Sequence, residues 1–135
     1  MPQSYPFYDR NTQPPSEGSD IEGYHIESEL ASTNCSYVFI GRNIDSNEKK
    51  VLKFIKCIRK NMERIEREVE IMKIANHPNI LQLEDSFRYG AYMCLVSKYA
   101  QNHDLQQYID KNYPNGIPEK MAINIFKQML EAVNY

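Results

Sequence analysis

Lys53 sits inside the apolar run Val51-Leu52-Lys53-Phe54-Ile55, and Glu68 follows on the next amphipathic segment. An ammonium group in a strand this apolar either snorkels to water or meets an anion, because burying it unpaired is costly or shifts its pKa. The chemistry open to such a lysine is electrostatic. It can hold a carboxylate or a phosphate, and Glu68 and a phosphate are the candidate anions. Each residue also has a plainer reading. Lys53 also reads as a snorkelling lysine on an edge strand. Glu68 reads equally as one half of an exposed i,i+4 pair with Arg64, worth only about 0.3–0.5 kcal/mol. Cys35 lies among small polar residues, where a thiol is either reactive or a small filler.

The elements that must position these residues follow from hydrophobic periodicity. Tyr24, Ile26 and Leu30 mark one face of a first strand and Tyr37-Val38-Phe39-Ile40 a second, with residues 31–36 turning between them. Asp45-Ser46-Asn47-Glu48 reads as the next turn, leading to the strand that carries Lys53. Over residues 61–76 the apolar positions Met62, Ile65, Val69 and Met72 recur at helical spacing, and Glu68 lies at the flank of that stripe. His77-Pro78 ends the helix, since proline lacks a donor and biases its predecessor out of the helical region. His77 itself is assigned a structural place at that helix end. The chain is then expected to run extended through Ile80-Leu81-Gln82-Leu83, turn at Arg88-Tyr89-Gly90 and form a fifth strand at Tyr92-Met93-Cys94-Leu95-Val96.

A short helix is expected over residues 104–110. Pro118, placed at a first helical position, opens the last helix. That helix carries a long apolar stripe of Ala122, Ile125, Phe126, Met129, Leu130 and Val133, which demands a packing partner. Residues 1–20, rich in Pro, Ser, Gln and Asn, read as a disordered tail.

Composition narrows the function classes. The 16 basic and 18 acidic residues are mixed along the chain, so no basic stripe speaks for nucleic acid or an anionic membrane surface. Three cysteines without Cys-x-x-Cys spacing point away from a disulfide framework or zinc knuckle and towards a reducing, cytoplasmic compartment. The three scattered histidines show no metal-ligand spacing, and no run of apolar residues is long enough for a membrane span.

Taken in order, the hairpin with a small-residue turn, the apolar strand with Lys53, the helix with Glu68, His77-Pro78-Asn79-Ile80 and the strand into Leu95-Val96-Ser97-Lys98-Tyr99 resemble the N-terminal lobe of the eukaryotic protein kinases. The resemblance covers residues 24–135 and is nearest to the calcium/calmodulin-dependent, serine/threonine group. The fold it implies is α+β: a kinase-like N-lobe of a five-stranded antiparallel sheet plus one long helix over residues 21–96, a hinge over 97–103, and over 104–135 the first two helices of an incomplete helical C-lobe.

The resemblance also implies roles for individual residues. Lys53 takes the place of the strand lysine on the ATP phosphates and Glu68 that of the helix carboxylate orienting it, the two residues of the catalytic set within this chain. Leu30, Val38 and Val51 would sandwich the adenine ring. Lys98 and Ala100 would meet its edge through backbone groups, Ser97 would gate the inner pocket, and Asp104 would lie near the ribose. Ala31, Thr33 and Ser36 occupy positions where the family has glycines, which allow bare backbone to approach phosphate. Each substitution costs on the order of 1 kcal/mol wherever left-handed geometry is required, and Thr33 and Ser36 could return some hydrogen bonding through their hydroxyls.

The family's catalytic Asp, its Mg²⁺-binding Asn and its Asp-Phe-Gly motif lie beyond the position of Tyr135. The implied function is therefore the ATP-binding portion of a serine/threonine protein kinase, with ATP as cofactor, Mg²⁺ in the complete enzyme, and a protein substrate. The alternative is a noncatalytic, kinase-like module or fragment acting through protein partners.

Overall fold

A computed structural model describes residues 13–101 and 104–135; the part of the expected tail at residues 1–12 lies outside the described residues, as does His103. The chain divides into two compact units. One runs up to Ile74 and resumes over Leu83–Tyr99; the other comprises Ala75–Gln82 and Ala100–Tyr135.

The first unit is a sheet backed by one helix. Its strands are β1 (Asp20–Ile21), β2 (Tyr24–Ser32), β3 (Ser36–Asn43), β4 (Lys49–Lys56), β5 (Leu83–Tyr89) and β6 (Tyr92–Lys98), with α1 (Met62–Ile74) between β4 and β5. Among the described residues the sheet order is β1-β2-β3-β4-β6-β5, every neighbouring pair antiparallel. The expected α+β architecture with one long helix is present, with a sixth, two-residue strand added at the edge. That strand is joined to β2 by Glu22-Gly23, whose φ values of 49° and 86° are both positive, as a tight two-residue hairpin turn requires. Order extends back before it, since the Gly18 amide donates to the Ile26 carbonyl at 2.8 Å.

One expected strand is displaced. Residues 80–82 are not in the sheet, and β5 begins at Leu83 and continues through the segment read as a turn. This is an edge strand in which Leu83, Phe87 and Tyr89 carry the apolar packing, while its run of polar residues mimics a loop.

The sheet is curled. β2 and β5 stand four places apart, which in a flat sheet would separate them by roughly 19 Å. Yet the Tyr24 and Phe87 rings stack with centroids 6.1 Å apart, and the Tyr24 hydroxyl donates to Asp85 Oδ2 at 2.9 Å. Inside the curl, Ile26, Phe39, Leu52, Phe54, Cys94 and Val96 form a core with Tyr24 and Tyr92. The opposite face packs on α1, where Met62, Ile65 and Val69 meet Leu83 and Leu95, with Ile55 and Met93 partly covered. Gly41 is required by space. A Cβ there would lie 2.6 Å from Leu52 Cδ1 and 2.8 Å from the His25 carbonyl oxygen.

The second unit contains α2 (Leu105–Asn112) and α3 (Glu119–Val133). Asp104 caps α2 by accepting the Gln107 amide at 2.8 Å. Pro118 is the N-cap of α3, one place before its expected position, and its carbonyl accepts the Ala122 amide. The His77-Pro78-Asn79 segment is held structurally, as expected for His77. Its Nδ1 accepts the Asn79 amide at 3.0 Å, its ring lies 5.4 Å from that of Tyr135, and Asn79 Nδ2 donates to the Gln128 carbonyl at 3.1 Å. No residue of α3 is buried; Phe126 is 60% exposed and Val133 81%.

Candidate functional site

Strand alternation on β4 decides which lysine does what. Successive side chains point to opposite faces, so Lys50, Leu52 and Phe54 share one face and Val51, Lys53 and Ile55 the other. Lys53 falls on the α1 side, in a cross-strand row of Ala31, Val38, Lys53 and Leu95. The adjacent row on that face is Ser28, Ile40, Val51 and Ser97. Val38 and Val51 therefore flank Lys53 on one surface, with Leu95 opposite it.

Lys53 is exposed, and among the described residues no carboxylate lies within ion-pair distance of its ammonium. The lysine of this strand that meets an anion in the fold is Lys50. It is 9% exposed, and its Nζ lies 2.5 Å from Glu84 Oε2 and 3.1 Å from Glu48 Oε2. The hydrogen bond to Glu84 is the main cause of its raised pKa, with desolvation opposing. The sequence signal was present: Lys50 keeps step with Leu52 and Phe54, the inward residues.

Glu68 does not meet Lys53. Its ion-pair partner is Arg64, Nε to Oε1 at 3.9 Å on the open surface of α1. That is the plainer of the two readings of this carboxylate, and a pair of this kind is worth no more than about 0.5 kcal/mol.

The hairpin between β2 and β3 is built without glycine and without left-handed backbone. Among the described residues the non-glycine ones with positive φ are Glu22 and Asn47, so Ala31, Thr33 and Ser36 carry no strain of that kind. The expected cost of replacing glycine does not arise, because the turn takes a conformation that residues with a Cβ accept. Thr33 closes it: Thr33 Oγ1 accepts the amides of Cys35 at 3.3 Å and Ser36 at 3.1 Å and lies 2.9 Å from Ser36 Oγ. Cys35 is exposed at the tip, and its carbonyl accepts the Lys56 amide at 2.7 Å. Leu30, at a register shift of β2, is 43% exposed. Lys98 is the last residue of β6, and Ser97 likewise belongs to that strand. Ala100 and Asp104 belong to the second unit, with the Asp104 carboxylate engaged in capping α2.

The sequence model of the family described as Protein kinase domain matches residues 24–135. The chain belongs to the eukaryotic protein kinase family. It is similar to serine/threonine-protein kinase SIK1 of Rattus norvegicus, 31% identical over 115 residues that cover 83% of this chain and 15% of the relative. It is also similar to CBL-interacting serine/threonine-protein kinase 16 of Arabidopsis thaliana, 29% identical over 120 residues, 85% of this chain and 25% of the relative. With serine/threonine-protein kinase GIN4 of Saccharomyces cerevisiae it shares 39% identity over 71 residues, 53% of this chain and 6% of the relative. The chain thus spans a quarter or less of each of these relatives. The expected family, of the calcium/calmodulin-dependent-like kind, is borne out.

Complete kinases of this family use ATP with Mg²⁺. The residues here fit that ligand unevenly. A solvated cation beside Val38 and Val51, with no ion-pair partner among the described residues, suits a phosphate next to an apolar ring. The β2–β3 hairpin does not offer a matching cradle, since the Cys35 and Ser36 amides already have an acceptor.

Proposed function

We propose that this chain is the nucleotide-binding portion of a serine/threonine protein kinase that, as a whole protein, transfers the γ-phosphate of ATP to a protein hydroxyl. The observation that carries this reading is Lys53: a cation without a carboxylate partner among the described residues, on the sheet face that also bears Val38, Val51 and α1. Fold and family agree with that role. In this reading Leu30, Val38 and Val51 contact the adenine ring, and Lys98 and Ala100 present backbone groups to its edge. Lys53 neutralises phosphate charge, and Glu68 turns from Arg64 to Lys53 when the site is engaged, since the exposed pair it leaves is weak. The domain division proposed with it places the hinge at residues 97–103, between an N-lobe over 21–96 and the start of a C-lobe over 104–135.

A second reading, a noncatalytic kinase-like module working through protein partners, has its own support in the self-satisfied hairpin and the Glu68–Arg64 pair. Both readings place the protein in the cytoplasm, without nucleic-acid or membrane partners. The mixed charge and free cysteines agree with that, and among the described residues no helix is long and apolar enough to cross a membrane. Thermal unfolding with and without Mg-ATP separates the readings. The first predicts a rise in Tm that Lys53→Ala abolishes; no rise at millimolar nucleotide would leave the second.

A further inference from the structure

The β2–β3 hairpin solves in its own way a problem that anion-binding loops pose. Successive backbone amides pointing into a turn form a concavity for negative oxygen. In this hairpin an oxygen is already there, and it belongs to the chain. Thr33 Oγ1 receives the amides of Cys35 and Ser36, while the Thr33 amide donates to the Ser36 carbonyl at 2.8 Å. The tip is also tied to β4 through the Lys56 amide and the Cys35 carbonyl. Opening the concavity to a phosphate would mean rotating Thr33 away from Ser36 Oγ and both amides together. A β-branched residue has few other rotamers to turn to, and it adopts left-handed backbone only with strain.

We propose that the Thr33 hydroxyl stands in for a phosphate oxygen in this hairpin, so that the loop adds nothing to nucleotide recognition and the chain distinguishes ATP from adenosine almost wholly through Lys53. The proposal rests on the nucleotide-site reading above and specifies its ligand preference: the adenine nucleoside is the recognised part, and the polyphosphate is held at one point. Thr33 is then the residue that sets how strongly phosphate counts. Its replacement by glycine or alanine frees two amides for an anion, while serine keeps the acceptor oxygen.

The test is an equilibrium titration of adenosine, ADP and ATP, with and without Mg²⁺, into the chain and its Thr33→Ser, Thr33→Ala and Thr33→Gly variants, together with amide hydrogen exchange at Cys35 and Ser36 without ligand. ATP should bind the unaltered chain no more than about fivefold tighter than adenosine, the contribution of one exposed ion pair. Thr33→Ser should match it, and Thr33→Gly should widen the ratio by about tenfold or more through charge-assisted hydrogen bonds. A large ATP preference in the unaltered chain, or ratios that do not differ among the variants, overturns the proposal. If no variant binds any of the three ligands, the nucleotide-site reading fails. Exchange then decides the role of Thr33 by itself: slowed Cys35 and Ser36 amides that become fast in Thr33→Ala sustain it, and amides already fast in the unaltered chain overturn it.

Discussion

Removing the Glu84 carboxylate should cost far more stability than removing the Lys53 ammonium, although only Lys53 is proposed to touch a ligand. Lys50 keeps 11% of its side-chain surface in water and Glu84 25%, and their charged atoms are 2.5 Å apart. Breaking a fully buried pair from one side costs about 3–5 kcal/mol, because it leaves the other charge uncompensated. Here Glu48 remains 3.1 Å from Nζ, and Glu84 retains some hydration. Glu84→Ala is therefore expected to cost about 2–3 kcal/mol, below the fully buried figure. Lys53→Met, at an exposed position on the same strand, should stay within about 0.5 kcal/mol. In Lys50→Met/Glu84→Ala the one charge left without its partner is the largely exposed Glu48, so the double variant should be more stable than the sum of its single variants by about 1–2 kcal/mol.

The chain has no tryptophan, so urea unfolding followed by far-ultraviolet circular dichroism is the suitable assay. The raised pKa of Lys50 belongs to the folded chain. Its contribution is thus complete below the ordinary value of 10.5 and fades only as pH rises through the raised one. Equal and small losses in Glu84→Ala and Lys53→Met, at unchanged m-value, would refute the assignment of Lys50 as the inward lysine.

Other outcomes follow from single positions. Tyr24 is pushed up to about 12, first by burial and then by its bond to Asp85, so its stabilisation should be complete below pH 10 and lost as pH climbs towards 12. Tyr24→Phe should remove that alkaline slope and cost about 1 kcal/mol at neutral pH, as followed by denaturant unfolding. Gly41→Ala should destabilise by about 1–3 kcal/mol, because its methyl group collides with Leu52 and the fixed His25 carbonyl; a Tm equal to that of the parent would contradict the close strand packing. A thiol reagent should label Cys35 in the folded chain and Cys57 and Cys94 only after unfolding, since both are buried and burial pushes both thiols up. Prompt labelling of all three would show that the sheet core is open.

Much of the fold was legible because its central elements obey simple periodicities. β4, β6 and α1 carry strong apolar patterns, and His77-Pro78 marks where the helix must stop. β1 was invisible because two residues carry no period, and β5 was placed too early in the chain because Glu84, Asp85, Ser86 and Arg88 do not show the apolar alternation of a strand. A bulge there matters to the core: it interrupts the register between Leu83 and Asp85, and the consecutive residues Glu84 and Asp85 reach Lys50 and Tyr24 respectively.

For the candidate site the sequence offered positions and no contacts. Alternation along β4 could have assigned Lys50 inward and Lys53 outward. The spacing of Asp104 and Gln107 could have revealed the helix cap that occupies Asp104. Nothing in the sequence distinguished Arg64 from Lys53 as the partner of Glu68, because helix periodicity places that carboxylate near both the stripe and the open surface. The missing glycines suggested strain. The fold avoids it by threading the turn around the Thr33 hydroxyl, an outcome that depends on three-dimensional closure.

Nucleotide is proposed to lie on the α1 side of the sheet, over Lys53. A titration of the isotopically labelled chain with Mg-ATP, followed by heteronuclear magnetic resonance, tests it most directly. Saturable shifts are expected at Val38, Val51, Lys53 and Leu95, with little change at the inward Leu52, Phe54 and Val96, and with loss of the effect in Lys53→Ala. Shifts centred on the inner core or on α3, or none at millimolar nucleotide, would contradict it.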